Sequence, residues 1–445
     1  MKITDEELAR KAEEPARDAL ELHPFYKGKI EIVPKSCIRD LNDFAIWYTP
    51  GVAAPCKDIH RHPERVFEHT AKGNMIAIVS DGTRVLGLGD IGPEAGLPVM
   101  EGKALLFKYL GGVDAMPLCI DAHTPEEIIQ FVKMIQPTFG GINLEDIASP
   151  GCFTILDTLR ADARIPVWHD DQQGTAAVTL AGLINALKIV NKPMEKVRIG
   201  MLGAGAANQR IAHMLAAAGV DPGNIYLCDI EGLVYRGRED LKNNPWLNAL
   251  ADITNAEQRT GGPEVAFAGT DVMIALSAPG PHTVKAEWIR SMNRDAIVFV
   301  CANPVPEIWP WEARRAGARI VATGRSDFPN QVNNSLGFPG IFRGTLDVRA
   351  ATITDEMCIA AARELAKVAE DNGLKEDALL PTMDMWEVFP REAVAVGQKA
   401  IEQGIAEIRL SPEKAYEMAE TQIRRARSEM EMRQREGFIR MPPKK

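Results

Sequence analysis

The sequence predicts an α/β protein built on doubly wound parallel sheets, with a helical C-terminal extension. Two observations carry this. Short apolar runs without polar alternation recur along the chain, which is the pattern of strands buried on both faces. Longer stretches with apolar residues at helical spacing lie between them, as βαβ units require.

The runs come in order. "MIAIVSD" and "AMPLCID" read as the first strands and "IPVWHD" as the next, and "TAAVTLAGLINALKIVN" follows it as a helix. "VRIGMLG", the helix "QRIAHMLAAAG", "NIYLCD", "DVMIALS", "AIVFVCANP" and "ARIVATG" then alternate most densely, from about Lys196 to Gly324. Residues 1–165 are read as one unit, 166–350 as a second, and 351–445 as a helical segment packing back on the body. The closing stretch "QIRRARSEMEMRQREGFIRMPPKK" interleaves acids with its bases, so it reads as a solvated or subunit-contact helix and tail.

The 445 residues allow two or three domains with real cores. Hydrophobic residues make up 46% and charged residues 25%, as in ordinary globular proteins. A net charge of −10 disfavours a nucleic-acid partner. No apolar run approaches bilayer-spanning length, so no membrane role is expected. The N-terminal stretch is charged and lacks the apolar core of a secretory signal. Seven scattered cysteines with no CxxC suit a reduced, cytoplasmic setting.

Two glycine loops invite comparison. "GLGDIG", Gly87 to Gly92, is followed by Pro93 and Pro98, so no helix is expected to start there, and a pyrophosphate needs a helix N-terminus. "VRIGMLGAGAANQRIAHMLAAAG" is the stronger match, since strand, glycine loop and helix follow directly. Gly203, Gly205, Ala206, Ala207 and Asn208 form the expected cradle of a Rossmann-type NAD(P) unit, although Asn208 stands where Gly or Ala is usual. The next strand ends in Asp229, placed to bind the adenosine ribose. That acid favours NAD, while Arg236 and Arg238 shortly after it leave NADP open.

The acids pose a different problem. Asp170 and Asp171 end one apolar run, and Glu145 and Asp146 end another. Four carboxylates at neighbouring strand ends repel in a low-dielectric cleft, and a divalent cation relieves that. Oxygen ligands point to Mg²⁺ or Mn²⁺. The alternative is that they cap helices, Asp171 capping the one after Gly174, and spacing alone does not decide. His169 could ligate, but a lone histidine is more often packed. Lys103, placed near a helix start, is expected to have a lowered pKa if it is held there partly buried, as a general base needs, while a solvated surface lysine is the ordinary reading of the residue taken alone. Tyr48, in "IWYTPGVA", says little alone. Asn303, Asn333 and Asn334 are either polar contacts near a nicotinamide or turn formers.

Taken together, the segments "YTPGVAAPC", "SDGTRVLGLGDIGPEAGLPVMEGKALLF", "INLEDI", "HDDQQGTAAVTLAGL", "GAGAAN", "CANPVPE" and "NNSLGFPG" resemble the malic enzyme family in its short prokaryotic form. The resemblance implies oxidative decarboxylation of L-malate to pyruvate and CO₂, with a nicotinamide cofactor and a divalent metal. It makes Glu145, Asp146 and Asp171 the metal ligands, Lys103 the general base assisted by Asp170, and Tyr48 the general acid. Arg84 would hold a malate carboxylate, and Asn303 and Asn334 would position substrate or nicotinamide, with Asn333 beside the cofactor. The tyrosine would come from a partner subunit, which implies a homodimer. A malolactic-type enzyme, turning malate to lactate on bound NAD, shares these motifs. A non-catalytic NAD-binding sensor would have lost some of them.

Overall fold

The computed structural model describes residues 5–443. Among these, ten strands form two sheets. The first contains β1 (Met75–Ser80), β2 (Asp114–Cys119), β3 (Gly141–Leu144) and β4 (Val167–His169). They run parallel in the order β2-β1-β3-β4. The second contains β5 (Ile199–Leu202), β6 (Ile225–Asp229), β7 (Gly232–Leu233), β8 (Val272–Ala275), β9 (Ala296–Val300) and β10 (Ala318–Thr323). Its order is β10-β9-β8-β5-β6-β7, parallel except for the short β7. The order reverses between β5 and β8, which makes the crevice where such sheets bind ligands.

The expected unit boundary at 166 is displaced. β4 begins at Val167 and pairs with β3, with Leu144 opposite His169, so it belongs to the first sheet. The helix Thr175–Val190 then crosses to the second. One expectation about length also fails. The segment Asp170–Val190 is long and apolar enough to cross a bilayer, but it is a core helix, 78% buried. Its Asn185 shows how the C-terminal segment is held against it. The amide donates to the carbonyls of Ala366 and Leu379, at 2.9 and 2.8 Å. Helices Asp355–Asp371 and Val388–Glu402 therefore cover the core helix and the helix Phe338–Asp347.

A third expectation fails at "GLGDIG". A helix, Gly92–Gly111, starts immediately after it. Pro93 sits in its first turn, where the missing N–H costs nothing, and Pro98 is carried inside. The Ile91 and Gly92 N–H groups donate to the Gly82 carbonyl, so those amides are spent on the chain itself. Gly87 in that loop is a point of contact between the two units: a Cβ there would lie 2.3 Å from the Asn303 carbonyl oxygen. All seven cysteines are free thiols.

Candidate active site

Parallel strands end on the same edge of a sheet, so the residues following β3 and β4 emerge side by side. Glu145 and Asp146 leave β3, and Asp170 and Asp171 leave β4. On a regular strand, adjacent residues would face opposite sides. The chain instead turns at once: a wide, π-type turn spans Asp170–Gly174 and brings both acids to one side. Asp146 adopts φ 54°, a left-handed conformation that aspartate tolerates better than most residues. The Arg84 N–H donates to its carbonyl at 3.0 Å, which holds the turn and puts Arg84 beside the cluster.

Carboxylate oxygens of Glu145, Asp146 and Asp171 lie within 4.8 Å of one another. Asp146 Oδ2 is buried without a hydrogen-bond partner. Neither Asp170 nor Asp171 caps a helix through its side chain. Asp171 Oδ2 accepts from the Asp146 N–H at 2.8 Å, tying the two turns together. Three converging oxygen donors, one of them orphaned, fit a hard divalent cation.

Asp170 is different. It is fully buried, and its oxygens accept from the Lys103 ammonium, from Asn334 Nδ2 at 2.5 Å and from Trp168 Nε1 at 3.4 Å. Donors already surround it, so it orients Lys103. The Lys103 Nζ also lies 2.8 Å from Glu145 Oε1 and 4.4 Å from the centre of the Phe338 ring.

Lys103 is at the middle of helix Gly92–Gly111, on the buried stripe with Met100, Ala104, Phe107 and Leu110. The expected position near the helix start is therefore corrected. So is the expected direction of its pKa. Burial would lower it, but the Asp170 and Glu145 carboxylates outweigh burial and raise it. Burial pushes all four acids up, Asp146 to about 8 with help from the charge of Asp171. His169 is fully buried with both ring nitrogens unpartnered, and burial drives its pKa down to about 3. It is a neutral packed residue.

Asn143, absent from the sequence-derived set, donates to Glu145 Oε2 at 2.8 Å. Its signal was present: a polar residue inside an apolar strand, two positions before Glu145 and so on the same face. Tyr48 is not drawn into this cluster; its side chain is 71% exposed.

At the second sheet, Gly203 (φ 92°) makes the tight turn between β5 and helix Ala206–Ala218. A Cβ there would meet the Leu276 carbonyl oxygen at 2.5 Å. Gly205 leads directly into Ala206 and Ala207, whose N–H groups begin the helix. Asn208, expected to widen the turn, closes it instead. It is fully buried and its amide donates to the carbonyls of Leu202 and Gly203, both at 2.8 Å.

Asp229 stands at the end of β6, with both oxygens bound by Arg238. Arg238 also donates to the Gly232 and Leu233 carbonyls and to Asp240. Arg236 turns away to the Asp252 carbonyl. A cavity of about 600 Å³ opens beside Asp229, lined also by Glu231, Tyr235 and Asp240. The loops after β8 and β9 are joined by Glu307, which is fully buried and accepts from the Ser277 and Ala302 N–H groups. Asn303 follows directly. Asn333 is spent locally: it donates to the Gly324 carbonyl and accepts from the Ser335 N–H, which fixes the loop presenting Asn334.

Residues 27–160 match the malic enzyme N-terminal domain and residues 172–401 the malic enzyme NAD-binding domain. The bifunctional malic/malolactic enzyme of Bacillus subtilis is 48% identical over 400 residues, 90% of this chain and 96% of that one. The NAD-dependent malic enzyme of Geobacillus stearothermophilus is 48% identical over 379 residues, 85% of this chain and 78% of that one. The crystal structure of Entamoeba histolytica malic enzyme superposes with a TM-score of 0.97 at 47% identity, covering 100% of this chain and 93% of that one.

Proposed function

The chain belongs to the malic enzyme family, and we propose that its two strand-end clusters together carry out metal-dependent oxidative decarboxylation of L-malate to pyruvate and CO₂. It is an NAD(P)-dependent, decarboxylating oxidoreductase. The observation that supports the assignment most is the buried Lys103 between Glu145 and Asp170, at the edge of a three-carboxylate cluster.

Glu145, Asp146 and Asp171 would hold Mg²⁺ or Mn²⁺, and the β5 loop would hold the dinucleotide. When bound, the cation supplies Lewis acidity toward the malate hydroxyl and carboxylate, and the nicotinamide accepts hydride. Lys103 takes the hydroxyl proton. Its raised pKa depends on two carboxylates, and committing Glu145 to a cation withdraws one of them. That moves the amine in the direction a base requires. Asp170 stays hydrogen-bonded and keeps Lys103 aimed. Arg84, exposed at the mouth of the cluster, pairs with a malate carboxylate, and Asn303 and Asn334 orient substrate and nicotinamide.

Tyr48 protonates the enol carbon of the product. It does so from a second copy of the chain. The arm carrying it is unusually apolar for a surface: Ile32 is 85% exposed and Leu41 82%, with Phe44, Ile46 and Trp47 also exposed. Such a surface marks an interface. A homodimer covers it and completes each site.

NAD is the favoured cofactor. Both terminal nitrogens of Arg238 are committed to Asp229, Asp240 and two carbonyls, and its Nε is buried, so the side chain is not available to a 2′-phosphate. Asp229, Glu231 and Asp240 outnumber it in the cavity. A 2′-phosphate would meet net negative charge there.

Purified protein with L-malate, Mn²⁺ and either cofactor tests the proposal. Net formation of reduced cofactor together with pyruvate supports it, faster with NAD than with NADP. Lactate formed without net reduced cofactor supports a malolactic reading, which the name of the Bacillus subtilis relative brings into view. Absence of both products from malate would sink either.

A further inference from the structure

We infer that the C-terminal tail positions Tyr48: the end of helix Pro412–Arg435 and the residues after it clasp the root of the arm that carries the tyrosine. This rests on the reading of Tyr48 given above. The arm leaves the body at Lys27 and Gly28, with φ 56° and 117°, a reversal that ends helix Asp5–Tyr26. Two elements grip this joint from different sides.

The first is the helix of Lys103. The Lys29 N–H donates to Glu101 Oε2 at 3.1 Å, and the Lys29 ammonium donates to the Pro98 carbonyl at 2.8 Å. The second is the C-terminal helix. Gly437, at φ 77°, turns the chain back, and the Ile439 N–H closes on the Arg433 carbonyl at 3.1 Å. Arg433, in the last turn of the helix, pairs with Glu31. The return sets the Arg440 guanidinium 4.4 Å over the Phe25 ring, donating to the Phe25 carbonyl at 2.8 Å. The Tyr26 hydroxyl donates to the Arg440 carbonyl at 2.9 Å.

The C-terminal helix is itself fixed to the lysine helix. Arg427 lies 4.6 Å over the Tyr109 ring and donates to its hydroxyl at 3.2 Å. A continuous path therefore runs from the helix of Lys103, through the C-terminal helix, to the root of the arm. The tip beyond the root is folded on itself. Arg39 bonds Asp43 at 2.7 Å and Trp47 Nε1 donates to the Cys37 carbonyl at 3.0 Å. The tip is held at its root by this joint and at its far end by the chain that runs on to β1, where Lys72 donates to the Gln136, Pro137 and Phe139 carbonyls.

Each clasp contact is exposed and weak alone. Its effect is magnified by distance, because a small rotation at Lys27–Gly28 swings Tyr48 out of proton-transfer range. That range is narrow, about 2.6–3.2 Å. Arg440 is a positioning residue: it acts through the arm and has no place in the acid cluster or the dinucleotide loop. The basic closing segment, which as sequence reads as a solvated or subunit-contact helix and tail, has two of its arginines on this joint.

The test is a double-mutant cycle on the full-length protein, reading kcat and the KM for malate. Arg440→Ala is expected to lower kcat by roughly threefold to tenfold, the value of one or two such contacts, and to leave KM unchanged. On a Tyr48→Phe background it should cost nothing more, because its effect passes through the tyrosine. A generally weakened fold would multiply the two losses. Wild-type kcat in Arg440→Ala beside an impaired Tyr48→Phe overturns the clasp, and so do losses that multiply. Wild-type kcat in Tyr48→Phe removes the acid assignment instead, a failure that is told apart by that single variant.

Discussion

The role of Lys103 is decided by where its charge can go. It is buried, and burial alone disfavours an ammonium, yet two carboxylates hold its proton in place. Replacing it with alanine removes the proposed base but none of the three converging acids. Lys103→Ala should therefore lose malate oxidation by roughly 10²–10⁴-fold, the usual value of a general base, while still binding cofactor in a metal-dependent way. Activity equal to wild type in steady-state assays would refute the assignment. The identities of these residues were legible in the sequence, because two acid pairs close apolar runs. Their electrostatics were not. Asp170 is 67 residues from Lys103, and the sign of the lysine shift depends on that distant neighbour. Asn208 was misread for a similar reason: its position in the motif was visible, but the two carbonyls it caps are a property of the folded turn.

Single elements were read well where periodicity was strong and less well at their ends. The long strands of both sheets appear where apolar runs place them, whereas β7, two residues long, leaves no periodic trace. The helix carrying Lys103 was read but its start was placed too late, because Pro93 and Pro98 were treated as breakers, although first-turn proline is compatible with a helix. The loops after β8 and β9 hold a similar hidden feature. Glu307 joins them, and burial pushes its carboxyl up to about 7 against an ordinary 4.5, with backbone N–H bonds opposing that rise. Below pH 4.5 the folded and unfolded chains are both protonated at this group. Between 4.5 and 7 the unfolded chain releases the proton while the folded chain keeps it. Stability from this group therefore falls as pH rises through that window and levels off above it. Thermal midpoints of wild type and Glu307→Gln, compared across this range, should diverge in that direction, with wild type losing ground as pH rises. A constant difference would show that the carboxyl does not titrate there.

At the scale of the whole molecule, the sequence conveyed two sheets but not where one ends. β4 was assigned to the second unit because the helix after it leads there, yet its hydrogen bonds belong to β3. The apolar segment Asp170–Val190 has the length and composition of a membrane span and the burial of a core, a difference set only by what packs around it. The cation site proposed at the edge shared by β3 and β4 has three acids converging, with a fourth hydrogen-bonded to the proposed base. Binding of Mn²⁺ to the isolated protein, measured by calorimetry in wild type and in Asp171→Asn, tests this most directly. One Mn²⁺ per chain is expected in wild type, with a loss of at least about a hundredfold in affinity in the variant, since a ligand carboxylate is removed and even supporting residues cost 10–100-fold. Equal affinity in the two proteins would contradict it.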